Sequence, residues 1–204
     1  MAERRSGAPT PKTTTTVLDR DWTTTELAGE QYERTAFRDV DMTELANVGA
    51  TFTGCTFSGV EFNVSTHTES AFLNCTFTRC TFFNATFTDC KLVGGLFDDC
   101  TFDLLDVTGG DWSFVGLPGA DLRRATFTKT RLHDADFTGA RCQGTKFLGC
   151  DLSDSWWHGA DLSNADLRGS DLTGLDPTEV RLVGAVIEPE QALVIAAALG
   201  LRFG

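Results

Sequence analysis

Every fifth residue of this chain is large and apolar. Thirteen of its 16 phenylalanines, from Phe37 to Phe147, have numbers that leave a remainder of two on division by five. Trp22, Leu92, Trp112, Leu122, Trp157 and Leu162 share that phase, which runs without a slip from Trp22 to Ile187 through 34 consecutive units. A second phase, remainder zero, is small. It holds six of the seven cysteines, together with Ala50, Ala85, Ala125 and Ala160. The acids respect the split: of 27 between Asp19 and Glu188, none takes the large phase and only Glu30 takes the small one. Two side chains in five therefore point inward and three face water. A period of five fits neither the strand nor the helix, and not the heptad of a coiled coil. The backbone has to turn every five residues and wind into a solenoid, each repeat resting on its neighbours.

Units such as ADLSN ADLRG SDLTG (160–174) and CTFTR CTFFN ATFTD (75–89) resemble the A(D/N)LXX signature of the pentapeptide-repeat family. The resemblance covers about four-fifths of the chain. It implies an all-β fold, a right-handed quadrilateral β-helix with one unit per side and 20 residues per coil. Residues 20 apart then stack, Phe37 on Phe57, Phe77 and Phe97, and Phe52 on Phe72, Leu92 and Trp112. With coils ~4.8 Å apart the rod is roughly 41 Å long. Asn47, His67, Cys142 and Pro177 occupy the large inward phase. Asn47 and His67 become neighbours on one column, where their polar atoms need partners. The stretch VTGGDWSFVGLPGA (107–120) keeps phase, so it reads as an irregular coil or bend.

Three regions follow. Residues 1–20 lie outside the repeat; they are rich in Thr and Pro and read as a disordered extension. Residues 21–188 form the β-helix, and residues 189–204 a C-terminal helical segment. Glu188 and Pro189 suit a helix start and Gly200 a stop. This helix is apolar nearly all round and wants burial on more than one face. It is expected to cap the open end of the solenoid and to pair with a second copy through Leu193, Val194, Ile195, Leu199 and Phe203.

Net charge is −12 and the pI near 4.5, which opposes binding to nucleic acid or an anionic membrane and suits a basic partner. No run approaches the roughly 18 apolar residues of a membrane span. The start, MAERRSGAPTPKTTTTV, has no apolar stretch of a secretory signal, so a reducing cytoplasm is expected. Cys75, Cys80 and Cys90 lack the spacing of a zinc ribbon; their phase makes them small core fillers. Cys80 and Cys100 stack near enough to cross-link, although their phase needs no disulfide. HExxH, GxSxG and GxGxxG are absent from the sequence. The reading is a chain with no catalytic set, cofactor or metal site, and not an enzyme.

What remains is a charged surface. Residues 21–188 carry 26 acidic and 12 basic side chains, a net of −14. That is one net charge per ~3 Å of rod, against ~1.7 Å for duplex DNA. Such a surface keeps a repetitive β-protein soluble. If two copies meet through the helix, the segments 141–188, net −4 each, abut. Asp151, Asp154, Asp161, Asp166, Asp171, Asp176 and Glu179 would then form an acidic partner-binding surface. CTFSGVEF (55–62), HTESAFLNCTF (67–77) and EPEQALVIAAALGLRFG (188–204) are similar to the mycobacterial fluoroquinolone-resistance and Qnr members of the family. That resemblance implies a homodimer that mimics B-form DNA, occupies the DNA-binding saddle of the DNA gyrase A subunit, inhibits the enzyme by competition and lowers fluoroquinolone sensitivity. The unbroken phase leaves no looped insertion of the kind many Qnr members carry. The alternative is an acidic repeat scaffold with a different protein partner.

Overall fold

Each five-residue unit makes one short extended piece and one turn. A computed structural model describes residues 10–202, and its wall is a parallel β-solenoid with 20 residues per coil. Thr15–Leu18 pairs in register with Thr35–Arg38, placing Val17 opposite Phe37. The same offset recurs as far as Asp166 opposite Val186. Strands around Val17, Phe37, Phe57, Phe77 and Phe97 form a five-stranded first wall. The second wall, around Trp22, Met42, Phe62 and Phe82, is joined by isolated bridges such as Asp41 to Glu61. A seven-stranded sheet from Glu26–Ala28 to Lys146–Leu148 makes the third, and Gln31–Glu33, Thr51–Thr53 and Ala71–Leu73 begin the fourth.

The turns explain the outward residues. Aspartates at the start of a unit accept from the N–H two residues on: Thr43 to Asp41 at 2.9 Å, Ser113 to Asp111 at 3.0 Å and Thr173 to Asp171 at 2.9 Å. This is the Asx turn, so those acids shape the wall as well as charge it. The fourth position of most units is left-handed, and Asp, Asn and Gly fill much of it. At Gly110 the demand is steric as well, since a Cβ there would meet the Cys90 carbonyl oxygen at 2.1 Å. That glycine is what lets 107–120 stay in phase.

The bore is filled by stacked columns. Phe37, Phe57, Phe77 and Phe97 lie nearly parallel, with centroids 4.9, 4.8 and 4.5 Å apart. Phe52 rests on Phe72 at 4.7 Å and Phe62 on Phe82 at 4.9 Å, and neighbouring columns meet edge to face. In-register strands hold identical rings at the sheet spacing, and each aromatic contact adds about 0.5–1.5 kcal/mol to the burial of its area.

The N-terminal boundary differs from expectation. Residues 10–20 are not a disordered extension: Thr15–Leu18 is a strand of the first wall. Val17 lies in the large phase, so the column under Phe37 begins one unit before Trp22. Residues 1–9 lie outside the described residues. At the other end Pro189–Ala198 is helical. Val194 and Ile195 pack on the core. Gln191 is the buried plug: its amide donates to the Leu167 and Ser170 carbonyls, at 2.7 and 2.6 Å, and its oxygen accepts the Glu188 N–H. The helix thereby supplies donors that a further coil would have provided.

Asn47 and His67 satisfy each other inside the bore. Asn47 Nδ2 lies 3.1 Å from His67 Nδ1, Ser65 Oγ 3.0 Å from Nε2, and Asn47 Oδ1 accepts the Ala50 N–H. Burial pushes the imidazole down to about 3. The folded state therefore holds His67 neutral while the unfolded chain protonates it near 6.5. The folded state keeps its full advantage above pH 6.5 and loses about 1.4 kcal/mol per pH unit as pH falls from there toward 3. Urea unfolding at stepped pH measures this, and the Asn47→Leu/His67→Phe double variant, which replaces the polar pair with an apolar column, should lose that share of the slope.

Candidate partner-binding surface

The seven acids marked in the sequence do not share one face. Asp151 and Asp171 are bridged neighbours on the fourth wall. Asp161 lies on the second, between Arg141 and Arg181, and Asp166 on the third, between Lys146 and Val186. The acids thus wrap the rod, because the 20-residue coil distributes a five-residue pattern over four walls. All but Asp154 are held by their turn or a neighbour. Asp161 accepts from the Ser163 N–H and Gln143 Nε2, both at 2.9 Å. Asp166 takes a two-pronged contact from Arg168 at 2.8 and 2.6 Å, which holds its carboxyl below the usual range. The Thr178 hydroxyl and N–H do the same for Asp176.

Three of the seven, Asp154, Asp176 and Glu179, converge on a cleft of about 410 Å³ with Asp134, Trp156 and His158. Pro177 stands at the break. Its ring restricts the backbone of Asp176 before it, and no bridge joins Trp156 to Asp176 among the described residues. The register then slips by one: Gly159 donates to Glu179, where Gly139 donates to His158, 19 residues on. Trp157 floors the cleft, stacked on Phe137 at 4.2 Å. Trp156 is partly exposed and His158 faces Glu179 at 3.5 Å. Carboxylates beside an exposed indole suit a cationic side chain. Trp156, His158 and Asp134 were not marked in the sequence; the available signal was Pro177 in a phase that otherwise carries large apolar groups.

On the fourth wall His133 Nδ1 lies 2.9 Å from Ser153 Oγ, and its Nε2 3.1 Å from Asp134. The serine hydroxyl donates to Asp151, so its proton points away from the imidazole. Of the dimer residues, Leu193 and Leu199 are more than half exposed, Val194 and Ile195 are partly buried, and Phe203 lies outside the described residues. No described helix is long and apolar enough to cross a membrane.

A family model described as pentapeptide repeats matches residues 117–154 and 146–182. No curated protein sequence matches the chain. Among solved structures, full-length QnrB1, a plasmid-mediated fluoroquinolone resistance protein, is 20% identical, with a TM-score of 0.52 over 92% of this chain and 98% of that one. HetL, a pentapeptide repeat protein involved in heterocyst differentiation regulation from the cyanobacterium Nostoc sp. strain PCC 7120, is also 20% identical, with a TM-score of 0.30 over 85% and 86% of the two chains. At these identities the likeness to QnrB1 is one of fold.

The cysteines resolve as core. All seven are free, and six are buried; Cys75, Cys80 and Cys150 each donate to a carbonyl of the coil before. Burial pushes Cys90 and Cys150 up to about 11. Cys100 alone is half-buried. A thiol-reactive dye at pH 8 should therefore label Cys100 first in the folded protein, and the other six only on unfolding. Fewer than seven thiols in unreduced, unfolded protein would mean a disulfide.

Proposed function

We propose that this chain, whose residues 117–182 match the pentapeptide-repeat family model, is a DNA-mimicking binder that occupies the DNA-binding saddle of the DNA gyrase A subunit. It inhibits supercoiling by competing with DNA and lowers fluoroquinolone sensitivity. The observation that carries this reading is the distribution of charge. A net of −14 over residues 21–188 is spread over a rod on whose four walls turn-bound carboxylates such as Asp176, Asp161, Asp166 and Asp171 stand. Duplex DNA also presents fixed negative charge around a cylinder, and a saddle evolved to hold it is basic. Anchoring matters, because a turn-bound carboxylate pays little ordering entropy on docking. A rod of this sign repels nucleic acid itself, so a protein partner working in the cytoplasm is the fitting target.

The C-terminal end supports a homodimer. Leu193, Leu199 and Leu201 on the helical segment and Val183 and Val186 on the last coil are exposed together at that end, and exposed apolar residues gathered in one place mark an interaction surface. Joined there, two rods present one long acidic span. Light scattering at micromolar protein should give twice the 22.1 kDa chain mass, and the Leu193→Glu/Leu199→Glu variant the single mass.

Salt tests the gyrase reading, since affinity that rests on charge falls steeply as salt rises. The sharper test replaces Asp161, Asp166 and Asp171 with asparagine, which keeps the turn acceptor and removes the charge. In a supercoiling assay at low salt, the wild type should inhibit purified gyrase at micromolar concentration, and the triple variant about tenfold less well. Full inhibition by the variant would favour the alternative, an acidic scaffold for another protein partner. Its footing is that these same carboxylates already serve the turns.

A further inference from the structure

The second wall has a break of its own. Bridges join Thr81 to Thr101 and Asp121 to Arg141, but among the described residues none joins Thr101 to Asp121. One coil earlier the Phe82 and Asn84 N–H groups donate to the Thr101 and Asp103 carbonyls, both at 2.9 Å, and Thr101 donates to Cys80 at 3.1 Å. The equivalent N–H groups of Asp99, Phe102, Leu104 and Asp121 have no backbone partner among the described residues. Pairing resumes on both sides, at Leu96 with Gly116 and at Asp106 with Thr126. Pro118 lines the gap; in the regular pattern its carbonyl would accept the Asp99 N–H, and its ring fixes the backbone there.

The break opens a cleft of about 680 Å³, within the size range of binding pockets. Its walls differ from the rest of the rod. Arg123, Arg124 and Arg141 face Asp99, Asp103 and Asp121, so the lining is neutral on a strongly acidic protein. Arg123 and Arg141 are both committed to Asp121, with contacts of 2.6–2.8 Å. Arg124 makes one exposed pair with Asp103 at 3.1 Å, weak enough to exchange. Asp99 has no ion pair or side-chain hydrogen bond among the described residues. An inorganic anion would use only the free N–H groups, and a metal ion only the free carbonyls. A peptide in extended form answers both.

We propose that this cleft docks an extended segment of a protein partner, which adds to the free edge at 99–104 as a strand and brings a basic side chain to Asp99 and an acidic one to Arg124. Strand addition gives affinity through the main chain and selectivity through these two end contacts. The site lies outside residues 151–179, where the acids were marked for a partner, and stands whether or not the gyrase proposal does.

The test uses the full chain and a displayed library of random 12-residue peptides. Selection should enrich sequences carrying one basic and one acidic residue. A synthetic copy of the best should bind the wild type and slow iodoacetamide labelling of Cys100, which lines the cleft. In hydrogen exchange it should protect the amides of Asp99, Phe102, Leu104 and Asp121. Pro118→Thr removes the ring beside the gap, lets the coils close and should weaken binding at least tenfold. Asp99→Lys/Arg124→Glu, a surface change that leaves the coil intact, should weaken it similarly, and it decides the matter if Pro118→Thr fails to fold. Enrichment no greater than on the double variant, or a bound peptide that leaves Cys100 labelling and those amides unchanged, overturns the proposal. No gyrase is present in any step, so the outcome is independent of that reading.

Discussion

The coil-to-coil backbone ladder, repeated at a fixed offset of 20 residues, governs everything else in this molecule. It sets the spacing at which phenylalanine rings stack, with Phe57 on Phe77 at 4.8 Å. It also sets the spacing at which outward carboxylates recur along a wall, as from Asp151 to Asp171. A parallel in-register ladder admits little local adjustment, because each coil is held by the one before and the one after. Side chains that break the pattern must therefore be accommodated within it. Asn47, His67 and Ser65 do so by bonding to one another, Gly110 by having no side chain, and Gln191 by standing in for the coil that would follow.

Two prolines stand where the ladder is interrupted, and each borders a cleft. Pro177 lies at the register slip near the end of the rod, beside the acidic cleft at Trp156. Pro118 lies at the mid-length gap, whose cleft has free peptide N–H groups. Elsewhere the wall is closed by its own hydrogen bonds and offers a partner only side chains. A solenoid with no looped insertions has few ways to present a concave surface, and a locally unpaired coil is the least disruptive of them, since the chain stays in phase on either side.

The acids hold two roles together. As turn acceptors they shape the wall, and as fixed charges they give the rod its sign. Because the two roles use the same oxygen atoms, an aspartate supplies both at once, whereas an asparagine would keep the turn and lose the charge. That coupling explains why a purely structural rule, an aspartate at the start of a unit, yields a surface resembling a nucleic acid in sign.

The sequence by itself determined the solenoid. Large residues at every fifth position from Trp22 to Ile187 permit no other regular backbone, and the same count identified the cysteines as core and the pairing of Asn47 with His67. It missed that Val17 starts the first column, since one valine is a faint signal beside a run of phenylalanines and the threonines around it read as disorder. Only the tertiary structure decided where the acids point. A period of five says that Asp151, Asp161, Asp166 and Asp171 face outward, but the four-sided coil sends them to three different walls and gathers Asp154, Asp176 and Glu179 around a cleft. The clefts were likewise beyond the sequence: a proline in phase announces a lost hydrogen bond, whereas the side chains lining the opening come from units 20 and 40 residues apart, which only the wound chain brings together.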